Sequence, residues 1–231
     1  MKFFKLILTQ LIRLLLFIPM VQNTLITLIR HGETEWNLSG RWQGHADSPL
    51  SSRGIKQAKA LGIRMKSEQL DYFYSSDLGR AMHTAQLIGE PSGLVAEPFS
   101  KLRERDLGLL EGLNTDEMLD QYPEIYNSFR NDGPDFLVPQ GESFRQFYER
   151  CANGVLEIAK KHEGSRIGIV THGGVLGVIF RYVLNLSLET ERNFVLLNCS
   201  LNRIERKQNG WNLISWGDVA HLQNMETLDD A

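Results

Sequence analysis

Cysteine is scarce in this chain. Cys151 and Cys199 are the two present in 231 residues, too few for a disulfide scaffold and without the paired spacing of a zinc site. Both read as core thiols, which leaves the redox compartment open with a mild lean toward a reducing one; the expected location is the cytoplasm, with membrane association through residues 1–19 as an option. A basic excess is also missing. Net charge is −3, and because residues 1–19 hold Lys2, Lys5, Arg13 and no acid, the remainder carries −6. That excludes the basic footprint of a nucleic-acid binder. It also requires any positive charge for an anionic substrate to be gathered locally. No repeat or low-complexity linker is visible. With 42% hydrophobic, 9% aromatic and 23% charged residues, the composition is that of a globular chain able to build a core.

Long apolar runs are lacking too. Residues 1–19 are rich in Leu, Ile and Phe, yet Lys5, Gln10 and Arg13 interrupt them, so no stretch reaches the ~20 residues of a membrane helix. A secretory signal fits poorly, because the apolar core 14–18 is short and no small-x-small cleavage pattern follows. On a helical wheel Lys2, Lys5, Thr9 and Arg13 share one face, with Phe3, Leu6, Leu14 and Phe17 away from it. Three readings stay open: a stretch absent from the mature protein, with Met20 as its start; a basic helix lying on an anionic membrane surface; or a signal or anchor. The chain therefore divides into an N-terminal segment, 1–19, and one domain, 20–231, with cap elements around 105–141.

The domain alternates strands and helices. Apolar runs at 24–30 and 166–171 end abruptly at His31-Gly32 and His172-Gly173-Gly174, which marks buried strands stopped by turns. Further strands are expected at 71–74 and 94–99. Helices are expected at 51–67, capped by Ser51 or Ser52, at 78–89, capped by Asp77, at 142–162 and at 175–184. Residues 113–141 contain Pro123, Pro134, Pro139, Gly133 and Gly141 and should form short helices and loops. Segments 200–207 and 211–216, joined by Gln208-Asn209-Gly210, read as a hairpin. This order predicts an α/β fold: a three-layer α/β/α sandwich whose mostly parallel central sheet carries helices on both faces. Ligands of such sheets bind beyond the carboxyl ends of the strands. His31, Arg80, Glu104 and His172 fall at that edge.

Arg30-His31-Gly32 alone is a weak signal, since a histidine at a strand end is more often structural. The combination is far more specific. Arg30-His31-Gly32-Glu33-Thr34 with Asn37, Gln43-Gly44, Ser75-Ser76-Asp77-Leu78-Gly79-Arg80, Glu104-Arg105-Asp106-Leu107-Gly108 and Thr171-His172-Gly173-Gly174 closely resembles the histidine phosphatase superfamily, also called phosphoglycerate-mutase-like. The resemblance spans residues 24–222, with the motifs in the family's order.

That resemblance implies that His31 is phosphorylated, that Arg30 and Arg80 bind the phosphoryl group, that His172 donates a hydrogen bond to it, and that Glu104 is the general acid. Chemistry agrees with each role. Neutral imidazole is a good nucleophile, and its second nitrogen should be held by a backbone carbonyl. Guanidinium forks suit the spread charge of a transferring phosphoryl group, and Arg80 also gains from a helix start. An acid must protonate the leaving oxygen; Glu111 and Glu33 are rivals to Glu104. Asn37, Gln43, Gly44 and Thr34 are carried over as substrate-binding candidates. No metal and no cofactor are implied, and His45, His83, His162 and His221 are read as surface or packing residues.

The implied activity is that of a histidine acid phosphatase-type hydrolase acting on a small phosphorylated metabolite. Residues 133–141 offer no extra cations for a second phosphate, His172-Gly173-Gly174 lacks the Asn-Ser continuation associated with mutases, and Pro139-Gln140-Gly141-Glu142-Ser143 resembles the small-molecule phosphatases. Lys101, Arg103, Arg105 and Arg41 keep a phosphoglycerate mutase as the alternative. A phosphoprotein phosphatase or a membrane-associated binding protein is a further one, and would present an open, shallow site. Tyr122, Tyr126, Phe129, Phe136 and Leu137 suggest a partly apolar pocket. Oligomeric state is not legible.

Overall fold

The computed structural model describes residues 23–223 and Met225. The segment 1–19, with its three readings, lies outside them. Among the described residues no helix is long and apolar enough to cross a membrane.

Six strands form one sheet in the order β3-β2-β4-β1-β5-β6. They are β1 Thr24–Arg30, β2 Tyr72–Ser75, β3 Glu97–Pro98, β4 Arg166–Thr171, β5 Leu201–Lys207 and β6 Gly210–Asp218. The pairs β3·β2, β2·β4 and β4·β1 are parallel, whereas β1·β5 and β5·β6 are antiparallel. The sheet is therefore mixed, with its parallel part leading the active edge and the expected hairpin closing the other. Strand β3 is only two residues long, shorter than the expected 94–99. It is an edge strand, and Pro98 has no N–H to offer a ladder.

Among the described residues seven α-helices accompany the strands: α1 Glu35–Leu38, α2 Ser52–Met65, α3 Gly79–Gly89, α4 Thr115–Gln121, α5 Pro123–Asn131, α6 Phe144–Lys161 and α7 Gly173–Leu184. Ser51 caps α2, its side chain accepting from Gly54 N, as expected. Asp77 does not cap α3. Leu78 holds that position without a side-chain bond, while the Asp77 carboxylate takes Nε and Nη2 of Arg103 at 2.7 and 2.5 Å. A two-point charge-assisted pair outweighs a single cap bond. Helix α7 starts at Gly173, two residues before the apolar stretch that signalled it. Both glycines belong to its first turn.

Strand alternation sorts the core onto two faces. Ile26, Leu28, Ile167, Ile169 and Ile204 pack under α6 and α7 through Phe147, Cys151, Val155, Val175 and Ile179. On the opposite face, Ile29, Phe73, Val170 and Leu201 meet Ala58, Leu61, Met65, Ala81, Ala85 and Ile88 of α2 and α3. Gly54 lets α2 come close: a Cβ there would lie 2.0 Å from the Glu33 carbonyl oxygen. A third, smaller cluster of Leu107, Leu110, Met118 and Val138, flanked by Trp42, Tyr122, Tyr126 and Phe129, holds α4 and α5 as a cap beyond the carboxyl edge.

Candidate active site

The two histidine-bearing strand ends are bound to each other, His31 N donating to Thr171 O at 2.9 Å. The turn after β1 is held from three sides. Asn198 Nδ2 donates to His31 O at 3.1 Å, Cys199 N donates to Arg30 O at 3.1 Å, and Gly32 N donates to Thr84 Oγ1 at 3.0 Å. Within this frame His31 Nδ1 lies 2.8 Å from Gly32 O. A carbonyl can only accept, so Nδ1 carries the proton and Nε2 the lone pair. Burial, then Arg80 and Arg30, hold His31 well below the ordinary imidazole value, with the Gly32 carbonyl opposing. The ring is neutral at neutral pH.

Arg80, in the first turn of α3, is buried. Nη1 donates to Ala46 O at 2.8 Å and Asp47 Oδ1 at 3.1 Å, and Nη2 to Gly44 O at 2.8 Å. Its Nε is buried without a partner. Arg30 Nη1 donates to Leu196 O. His172 holds the position before α7 without a side-chain cap bond and is completely buried, its ring centroid 5.2 Å from that of His31. Glu104 Oε1 accepts from Arg105 N and Oε2 from Gly174 N, both at 2.9 Å. Thus Arg30, His31, Arg80, Glu104 and His172 converge.

The rival carboxylates have other work. Glu33 is wholly buried and accepts from Ser51 Oγ at 2.6 Å and Arg53 Nε at 2.8 Å. Glu111 accepts from His45 N at 2.6 Å, Leu107 N at 3.1 Å and Ala46 N at 2.8 Å. It clasps the loop whose carbonyls grip Arg80. Gly44 fits this clasp, since a Cβ would meet Glu111 Oε1 at 2.1 Å and its φ is +56°.

A cavity of about 730 Å³ opens above this floor, lined by Arg30, His31, Arg80, Glu104, Asn37, Gln43 and Gly44, with Gly173 and Gly174 at the start of α7. His172 precedes those glycines in the chain and is not itself part of the lining. Thr34, expected at the substrate, lies outside the lining. It is buried and forms a capping box with Asn37 for α1. Asn37 reaches the cavity, but its Oδ1 accepts from Thr34 N and Oγ1, both at 3.0 Å. Gln43 presents a buried Oε1 without a partner. From the cap, Tyr126 and Phe129 line the cavity; Tyr122 and Phe136 pack in the cap core, and Leu137 is exposed.

Among the lining residues that escaped the sequence reading are Trp36, Trp42, Arg130 and Arg192. Trp36 and Trp42 flank Asn37 and Gln43 in sequence, a proximity that could have flagged them. Of the cations weighed for a mutase, Lys101 pairs with Glu157 and Arg103 with Asp77. Arg41 lines the cavity while tied to Glu117 at 2.6 Å. Arg105 is distinct. It lies 4.9 Å from the Phe129 ring centroid and 5.8 Å from that of Phe144, and burial pushes its pKa down to about 10, so it stays charged at neutral pH. His45 is not a plain surface residue, its Nε2 lying 3.0 Å from Glu104 O. His162 stacks on Tyr72 and His221 meets Arg64. Among the described residues no set of three or more His, Cys, Asp or Glu side chains converges to hold a metal.

A profile of the histidine phosphatase superfamily (branch 1) matches residues 26–219. The chain belongs to that superfamily. It is 40% identical over 210 residues to the metal-independent phosphoserine phosphatase of Arabidopsis thaliana, across 89% of this chain and 86% of the relative. It is 37% identical over 202 residues to the "Probable phosphoglycerate mutase GpmB" of Klebsiella pneumoniae (strain 342), across 85% and 94%. In three dimensions it resembles a mutant phosphoserine phosphatase of Entamoeba histolytica in complex with phosphoserine, with a TM-score of 0.76 and 29% identity over 86% of this chain and 99% of that one. The chain is thus a histidine phosphatase superfamily enzyme of phosphatase or mutase type with the phosphoglycerate-mutase-like fold.

Proposed function

We propose that the chain hydrolyses a small phosphomonoester through a phosphohistidine at His31. The observation that carries this reading is the anchored His31: Nδ1–H held by Gly32 O, Nε2 left as the nucleophile, and Arg30 and Arg80 beside it at the cavity floor. Nε2 attacks phosphorus as the ester P–O bond breaks, and Glu104 gives its proton to the departing oxygen. Glu104 then takes a proton from water, the water oxygen bonds to phosphorus, and the N–P bond breaks. Arg30, Arg80 and His172 carry the phosphoryl charge, so the scheme needs no metal.

A roofed cavity supports a small substrate over a phosphoprotein, since α5 contributes its wall through Tyr126, Phe129 and Arg130. Arg105, charged and flanked by two rings, is suited to a substrate carboxylate. The substrate class is therefore an acidic phosphomonoester of phospho-amino-acid type. Hydrolysis is favoured over mutase transfer because Arg41, Arg103 and Lys101, three of the four cations weighed for a second phosphate, are each committed to a carboxylate; Arg105, Arg130 and Arg192 line the cavity as well, so the mutase stays an outcome of the test.

The test is turnover across phosphoserine, sugar phosphates, nucleoside monophosphates and 3-phosphoglycerate with and without its bisphosphate. An acid-labile phosphoprotein present in the native chain and absent in His31→Ala is expected, with phosphate release dominating. Rapid 3-phosphoglycerate isomerisation with negligible hydrolysis would reverse the choice in favour of the mutase.

A further inference from the structure

We propose that Ser76 is a positioning residue that fixes His172 as the Nδ1–H tautomer and so aims a ready donor at the phosphoryl group on His31. This rests on the proposed phosphohistidine reaction for its purpose, though not for its geometry. Ser76 follows β2 and is completely buried. Its Oγ lies 2.8 Å from His172 Nε2 and accepts a long bond, 3.4 Å, from Leu78 N. No other group takes its hydroxyl proton. On the far side of the ring, His172 Nδ1 is buried and has no partner.

Counting donors and acceptors decides the tautomer. If the Ser76 hydroxyl donates to Nε2, its proton is used, the Nε2 lone pair is used, and one group is left over: the Nδ1–H. If Nε2–H donates to Ser76 Oγ instead, the hydroxyl proton and the Nδ1 lone pair are both stranded. Each stranded buried polar group costs about 1–3 kcal/mol, so the first arrangement prevails. A doubly protonated ring would take the serine's acceptor away and add a charge. Burial, then the charges of Arg80 and Arg30, disfavour that charge.

The leftover donor lies where it is useful. The His172 and His31 rings are 5.2 Å apart at 60°, and Gly173 and Gly174, the residues that follow His172, line the cavity with His31. A phosphoryl oxygen is the missing acceptor. Because the proton is placed before substrate arrives, the donor needs no reorganisation when charge develops.

The histidine tautomer can be read in the resting enzyme by NMR of chain labelled with ¹⁵N-histidine, His172 being assigned by comparison with His172→Gln. The expected wild-type spectrum has His172 Nδ1 in the protonated range and Nε2 in the unprotonated range. Ser76→Ala should lose that preference and lower the rate of phosphoenzyme formation about tenfold to a hundredfold. Ser76→Cys, which keeps a weak donor, should fall between. An Nε2–H signal in the wild type, or an unchanged His172 spectrum in folded Ser76→Ala, would overturn the proposal. Full turnover by His31→Ala would instead sink the phosphohistidine reading and leave the tautomer assignment standing, so the two failures are separable.

Discussion

At the scale of single residues, the chemistry turns on protons placed in advance. His31 needs no neighbouring base, because burial beside two guanidiniums already keeps it unprotonated. An NMR titration of its ring in the resting enzyme should find the midpoint below 6.5; a midpoint at or above that value would contradict the reading. Two glutamates with the same side chain should separate by effect. Glu104→Gln removes the proton donor and should cut kcat about 10²–10⁴-fold for alkyl phosphates, and far less for aryl phosphates, whose oxygen leaves without a proton. Glu111→Ala strands the N–H groups of His45, Ala46 and Leu107 and should lower stability by about 1–3 kcal/mol. Urea unfolding and leaving-group series would distinguish them. Arg105→Leu should raise KM for phosphoserine about tenfold or more while sparing an alkyl phosphate whose alkyl group carries no charge, as steady-state kinetics would show.

Among the elements, close approach sets the geometry that the residues exploit. Helix α2 sits against the turn after β1 because Gly54 has no side chain, and the atom a Cβ would strike is backbone, the Glu33 carbonyl oxygen at 2.0 Å. Backbone cannot swing aside. Gly54→Ala should therefore cost about 1–3 kcal/mol and lower Tm, measurable by thermal unfolding. Elements of this kind differ in how much of them sequence reveals. Strands β1 and β4 are legible because an apolar run stops at His31-Gly32 or His172-Gly173-Gly174. Strand β3 is not, because a two-residue edge segment ending in Pro98 has neither length nor alternation. The five catalytic candidates, Arg30, His31, Arg80, Glu104 and His172, were legible as a group from strand ends plus motif order. The cavity wall was less so: Trp36 and Trp42 share a segment with Asn37 and Gln43, but Arg130 and Arg192 come from two distant ones, and only folding brings these together. Asp77 shows the limit of local rules, a good cap residue drawn off by Arg103 from another part of the chain.

Across the whole molecule, buried neutral imidazoles make stability depend on acid. The native chain holds His31 and His172 below the ordinary value, and His221 at about 4. As pH falls through about 6.5, the unfolded chain takes up protons that the native chain refuses, so the stability present at neutral pH is progressively lost. Unfolding free energies from urea titrations should drop between about pH 7.5 and 5, by at most about 2 kcal/mol per buried imidazole.

Neither thiol takes part in the proposed reaction. Cys151 and Cys199 are completely buried, and burial raises both above the usual thiol range, so the reactive thiolate is scarce. Peroxide and iodoacetamide, poisons of catalysts that rely on cysteine, should leave this one running. The same two thiols would react once the chain opens, which makes alkylation a clock for its unfolding.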